Sequence, residues 1–174
     1  MFNMPTIEID YNDIVFDKEV QQFCNNDQFQ CPNYHHSWGC PPEAPYLEEK
    51  VSEYTHHLLV YIKEDINQKG HNNLALKENF EREMLSTAEK IKPRSADMHL
   101  LWGGHCTLCK RRLDKRCTYD ANEPCRFPDE IRYSMEAVGI NVDATVKNVD
   151  IHIEWPPTDH VYKFGLISYN LNSQ

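Results

Sequence analysis

The chain reads as an α+β protein, a mixed sheet with helices on one face and two cysteine-rich loops at one end. Three observations predict it. Strand-like runs, alternating or wholly apolar, recur along the chain. One long stretch carries a helical apolar stripe. All seven cysteines fall in two glycine- and proline-bearing loops. At 174 residues the chain has the length of one domain able to bury its own core, so residues 1–174 read as a single domain with cysteine loops at 24–42 and 103–128.

Taken in order, Thr6 to Asp10 (TIEID) alternates polar and apolar residues, as a short edge strand does. Asp17 to Phe23 suits a short helix, and Cys24 to Pro42 is irregular backbone rich in turn formers. Glu43 to Val51 predicts a helix entered through Pro41 and Pro42. His56 to Glu64 (HHLLVYIKE) is apolar and bounded by polar residues, the pattern of a buried strand. After the turn-like NQKGHNN, the residues Leu76, Phe80, Met84, Ala88 and Ile91 recur at four- and three-residue spacing and make one helical stripe, stopped by Pro93.

Met98 to Trp102 predicts the next strand, so strand, helix and strand form a right-handed crossover with parallel strands. Residues 126–139 (RFPDEIRYSMEAVG) suit a helix with Pro128 near its start and Gly139 as a left-handed terminator. Val149, Ile151, Ile153 and Trp155 alternate with polar residues, and Val161 to Tyr169 is expected to return as their antiparallel partner. The sum is a ferredoxin-like mixed sheet.

A net charge of −9 with a pI near 5.4 lacks the basic footprint of a nucleic-acid binder. No apolar run reaches the roughly 20 residues of a membrane helix, and the N-terminus has no signal-peptide pattern, so a cytoplasmic protein away from membranes is expected. Cytosolic thiols stay reduced, which favours metal ligation or redox chemistry over structural disulfides, as does the odd cysteine count.

Cys106 and Cys109 form Cys-x-x-Cys behind Gly103 and Gly104, residues that permit a close backbone approach. Cys117 and Cys125 follow at intervals of seven intervening residues and complete a four-thiolate set. Such a set suits a cubane 4Fe-4S cluster or a tetrahedral zinc; zinc sites usually come as two close pairs, which Cys117 and Cys125 are not. Cys24, Cys31 and Cys40 form a second group. Three thiolates can hold a cubane with one iron open for redox catalysis, or a zinc completed by His35 or His36, and a single site drawing on both loops is a further arrangement.

Between Cys109 and Cys117, the KRRLDKR segment offers cations that offset thiolate charge or dock an acidic redox partner, or else forms a solvated loop. His105 suits a ligand or a hydrogen-bond donor to a cluster sulfur, His56 and His57 suit structural roles, Tyr34 and Trp38 suit packing over the first loop, and Ser134 and Glu136 suit helix capping or surface roles. The chain has no radical-SAM cysteine run, phosphate-binding glycine loop, His-Glu-x-x-His or Gly-x-Ser-x-Gly, which argues against nucleotide-driven or hydrolytic chemistry.

The segments CPNYHHSWGCPP (31–42), GGHCTLC (103–109), Cys125 to Pro128 and SMEAVGINV (134–142), with the late WPP, together resemble a family of predicted metal-binding proteins of anaerobic bacteria and archaea, domain of unknown function 2284. Here the Cys24–Cys31 and Cys109–Cys117 intervals are longer than the family's compact pattern. The resemblance implies metal binding and carries no reaction. The expected function is one-electron transfer by an iron-sulfur protein with one or two clusters, or redox assistance to a larger anaerobic enzyme. The alternative is a zinc-stabilised protein-binding module.

Overall fold

In the computed structural model, residues 4–27, 29–65, 73–154 and 157–173 are described. The central feature is a four-stranded sheet in the order β1-β4-β6-β5, built from β1 (Thr6–Ile9), β4 (His56–Asp65), β5 (Ser95–Leu101) and β6 (His160–Leu171). Every neighbouring pair is antiparallel. A crossover through helix α2 (Asn73–Ile91) does join two strands of like direction, β4 and β5, but β6 lies between them and pairs with both. The expected crossover with parallel strands is present, split by β6, and the expected mixed sheet is corrected to an antiparallel one.

Side-chain alternation explains the core. Leu59 and Leu166 face one way, while Val60 and Ile167, one residue on in each strand, face the other. On the second face α2 lays its stripe: Leu76, Phe80, Met84, Ala88 and Ile91 are all buried, as predicted. Burying each large member of such a stripe stabilises by about 1.5–3 kcal/mol relative to exposure. The first face is covered by Val51 of helix α1 (Glu48–Ser52), Val146 of helix α4 (Val142–Lys147) and the Met135, Val138 and Ile140 segment. Helices thus cover both faces, not one.

Other expectations change in length or type. Residues 18–24 form a 3₁₀ turn, and α1 begins at Glu48 because Pro45 disfavours helix at Ala44 and removes a backbone donor. The expected helix over 126–139 is two short 3₁₀ turns, Pro128–Glu130 and Glu136–Val138. Between them the backbone is drawn out, with Trp102 donating to the Tyr133 carbonyl at 2.7 Å and Trp102 bridging Ser134. Gly139 is left-handed at φ 95°, as its terminator role required. Ile151 and Ile153 are half-buried and His152 and Glu154 exposed, so the predicted alternation is present without a strand ladder. Trp155 lies outside the described residues, as does most of the NQKGHNN turn. The expected partner of 161–169 is replaced by β4 and β5. No helix among the described residues is long and apolar enough to cross a membrane.

Candidate metal centre

Both cysteine loops are held by short local elements. Cys106 precedes helix α3 (Leu108–Leu113), and Cys109 lies in its first turn. The long Cys109–Cys117 interval coils into this helix and then reverses at Asp114, whose φ is 52°, with the Lys115 N–H returning to the Cys109 carbonyl at 3.2 Å. A second reversal at Asn122, φ 53°, brings the chain back to Cys125. Cys106, Cys109, Cys117 and Cys125 consequently line one half-open cavity of about 440 Å³. Burial raises the Cys125 thiol; a Phe127 backbone bond opposes this, while Cys106, Cys109 and Cys117 push it up further.

The approach of Gly103 to the fold is close. A Cβ there would stand 2.7 Å from the Phe80 ring and 3.0 Å from the Phe164 carbonyl. The tight contact that glycine permits is thus with α2 and β6. Farther along, Glu81 of α2, its side chain only 5% exposed, receives Arg111 and Arg132 at 2.6 Å each. Arg132 in turn stacks 4.1 Å from the Trp102 ring centre. Removing one partner of such a buried pair costs about 3–5 kcal/mol, so this cluster ties α3 to the sheet.

The first loop is closed by a two-strand ribbon, β2 (Asn25–Asn26) and β3 (Phe29–Gln30), which sets Cys24 opposite Cys31; the Cys31 N–H donates to the Cys24 carbonyl at 2.8 Å. Burial pushes the Cys24 thiol up to about 11, with the Cys31 and Glu136 charges adding to it. Burial likewise pushes Cys40 up to about 12, against an opposing Ser37 hydrogen bond and with Cys31, Cys24 and Cys106 raising it. These three cysteines are thus mutual neighbours. As bare thiols Cys24 and Cys40 stay protonated at neutral pH, so metal uptake there displaces protons.

The two loops adjoin. A Cβ added to Gly39 would lie 3.1 Å from the Cys106 Cβ and 2.9 Å from the Arg132 carbonyl. Trp38 donates to the buried Thr118 hydroxyl at 3.1 Å and meets Tyr119 edge-on at 4.9 Å. His36 pairs with Asp120 at 2.8 Å, both residues lining the four-cysteine cavity. Tyr34 and Trp38 therefore differ: Trp38 packs between the loops, while Tyr34 meets the His35 ring at 6.4 Å. His35 is set against Tyr34 and Tyr119, and His36 against Asp120.

His105 lines the cavity with part of its ring open to solvent. Burial, then the Lys77 and Lys163 cations, hold it near 4 and hence neutral at pH 7. Lys77 donates to the His105 carbonyl at 2.8 Å, and Lys163 approaches the Gly103 carbonyl at 3.5 Å. His57 is structural as expected, bonded to Ser168 at 2.9 Å, and His56 pairs with Glu8 at 3.2 Å. Of the basic segment, Lys110 pairs with Asp114 and Arg112 with Glu130, while Lys110, Lys115 and Arg116 line the cavity.

Ser134 caps its turn, accepting from the Ala137 N–H at 3.1 Å. Glu136 is exposed, as expected of a surface residue, though on a 3₁₀ turn in place of the expected helix. Sequence reasoning missed Lys77, Glu81 and Lys163. The only signal for Lys77 and Glu81 was their i, i+4 spacing beside the α2 stripe.

Among the described residues no three His, Cys, Asp or Glu side chains converge tightly enough to hold one metal ion. Cys106, Cys109, Cys117 and Cys125 stand around the cavity. Cysteine sets of this kind on an α+β sheet define a candidate metal-binding protein. The family model of predicted metal-binding proteins, DUF2284, matches residues 7–168, and the chain belongs to that family. No curated protein and no solved structure gives a significant match.

Proposed function

We propose that the protein carries two adjoining iron-sulfur centres, one on Cys106, Cys109, Cys117 and Cys125 and one on Cys24, Cys31 and Cys40, and that it transfers single electrons, alone or as a redox accessory to a larger enzyme. The observation that carries this reading is the gathering of four cysteines around one cavity of about 440 Å³, with the second set in contact through Gly39. A single tetrahedral zinc would need its sulfurs about 2.3 Å from one point, whereas a cubane spreads its thiolates around a cage. The donor chemistry fits, since cysteine thiolates are the usual ligands of such clusters. Bound there, a cluster would supply reversible one-electron storage. The chain's own groups do the rest: Lys115 and Arg116 offset thiolate charge at the cavity wall, and the Trp38–Thr118 contact holds the two centres together.

Anaerobic purification tests it. The expected protein is brown, with iron and acid-labile sulfide in equal amounts and an EPR signal on reduction. A colourless protein with stoichiometric zinc would instead support the zinc-stabilised binding module.

A further inference from the structure

We propose that Cys24 and Cys31 form a reversible disulfide, a two-electron thiol pair that closes when their loop holds no metal. The bond follows from the ribbon geometry; its exclusion of metal rests on the three-cysteine centre proposed above. Asn25 pairs with Gln30 and Asn26 with Phe29, so the next step of the β2–β3 ladder sets Cys24 opposite Cys31. The Cys31 N–H donates to the Cys24 carbonyl at 2.8 Å, which fixes that register. Opposed residues joined in this way have Cα atoms about 5.5 Å apart, inside the roughly 4.4–6.8 Å that a disulfide spans. Side chains directly opposite each other also leave the same face of an antiparallel pair. The two thiols are accordingly hydrogen-bonding neighbours.

The third thiol of the loop is placed differently. Cys40 is buried in a separate turn, its N–H bonded to the Ser37 carbonyl at 3.1 Å, whereas Cys24 and Cys31 are half-buried and within reach of a small reagent. The Asn33 side-chain amide donates to the Cys31 sulfur at 3.9 Å, a contact that favours negative charge there. Cys31 is therefore the attacking thiol and Cys24 the resolving one. Cys31, its proton lost to solvent, attacks one sulfur of a small-molecule disulfide; that S–S bond breaks and a thiolate leaves. Cys24 then attacks the mixed disulfide at the Cys31 sulfur, and a second thiolate leaves. The two protons given up by the chain end on the two departing thiols. The chain is oxidised by two electrons and the external disulfide is reduced to two thiols. Two of the loop's three thiolates are then closed to metal.

Full-length protein, as purified anaerobically and after metal removal by chelation, is incubated with oxidised glutathione. Remaining thiols are then alkylated and the digest is mapped by mass spectrometry. In the metal-free chain Cys24 and Cys31 should lose alkylation together, joined by one crosslink, while Cys40 keeps it; reduced glutathione should reopen the bond. C24S, lacking the resolving thiol, should stall as a glutathione adduct on Cys31, and C31S should give neither product. Circular dichroism checks folding. If chelation unfolds the chain, C40S supplies a loop short of its third thiolate without chelation and should show the same crosslink. Absence of a Cys24–Cys31 crosslink, or pairing of either residue with Cys40 instead, overturns the proposal. Metal-loaded wild type should resist the crosslink, and equal crosslinking with metal bound overturns the exclusion. A wild type that holds no metal overturns the two-centre reading alone, since the same map still decides the Cys24–Cys31 bond.

Discussion

The two cysteine loops lie side by side yet differ in their electrostatic surroundings. The four-cysteine loop lines a half-open cavity with Lys110, Lys115 and Arg116 in its wall and Leu113 45% exposed nearby. The three-cysteine loop has a buried Cys40, and desolvation pushes its Cys24 and Cys40 thiols upward. Cations at an open mouth favour approach of an acidic partner and stabilise the more negative, reduced state. On the two-centre reading, electrons enter at the first.

The sharpest way to break this comparison is to remove one centre at a time. Replacing Cys106 and Cys109 by Ser should abolish roughly half the iron and leave the other half spectroscopically intact, and replacing Cys31 and Cys40 should do the converse. If either pair removes all the iron, the loops share one centre. Next in size, Glu81→Ala leaves Arg111 and Arg132 without their common buried partner and should lower stability by about 3–5 kcal/mol in denaturant titrations, with iron lost first from the four-cysteine side.

Gly39→Ala presses a methyl group against Cys106 and the Arg132 carbonyl, where the nearest atoms would stand at 2.9 and 3.1 Å. It should cost about 1–3 kcal/mol and perturb both centres at once, which EPR of the two signals would read. A pH titration of the metal-free chain reads the sheet histidines together with His105 of the four-cysteine loop, which is lowered to about 4. Burial lowers His57 and His99 below 6.5, so the unfolded chain takes up protons before the folded one does. Stability should be complete above about pH 6.5 and fall as the pH drops below it, with His57→Phe flattening the fall in chemical denaturation. The smallest effect on folding is expected from the double charge reversal K115E/R116E, within about 0.5 kcal/mol. Its signature is kinetic: reduction by an acidic electron donor should slow and lose its salt dependence.

Much was legible in the chain because local rules govern it. The stripe from Leu76 to Ile91 is a helix since 3.6-residue periodicity lies within one segment, and Gly139 ends its turn left-handed because only glycine does so without strain. The helix expected over 126–139 failed because distant groups prevailed. Trp102 claimed the Tyr133 carbonyl and Glu81 claimed Arg132, drawing the backbone out of helical form. The mixed sheet expected around 56–64 and 98–102 failed for a related reason. Sequence gives strands and a crossover, but not that β6, sixty residues later, inserts between them.

By itself, then, the sequence determined the four sheet strands and the long helix, the thiol count and the division of those thiols between two loops, since each depends on residue type and near-neighbour spacing. Only the tertiary structure decided that Gly39 rests against Cys106 and that Trp38 is clasped by Thr118. These contacts join segments about 65 to 80 residues apart, over distances at which periodicity carries no information and packing of the whole sheet sets which loops meet.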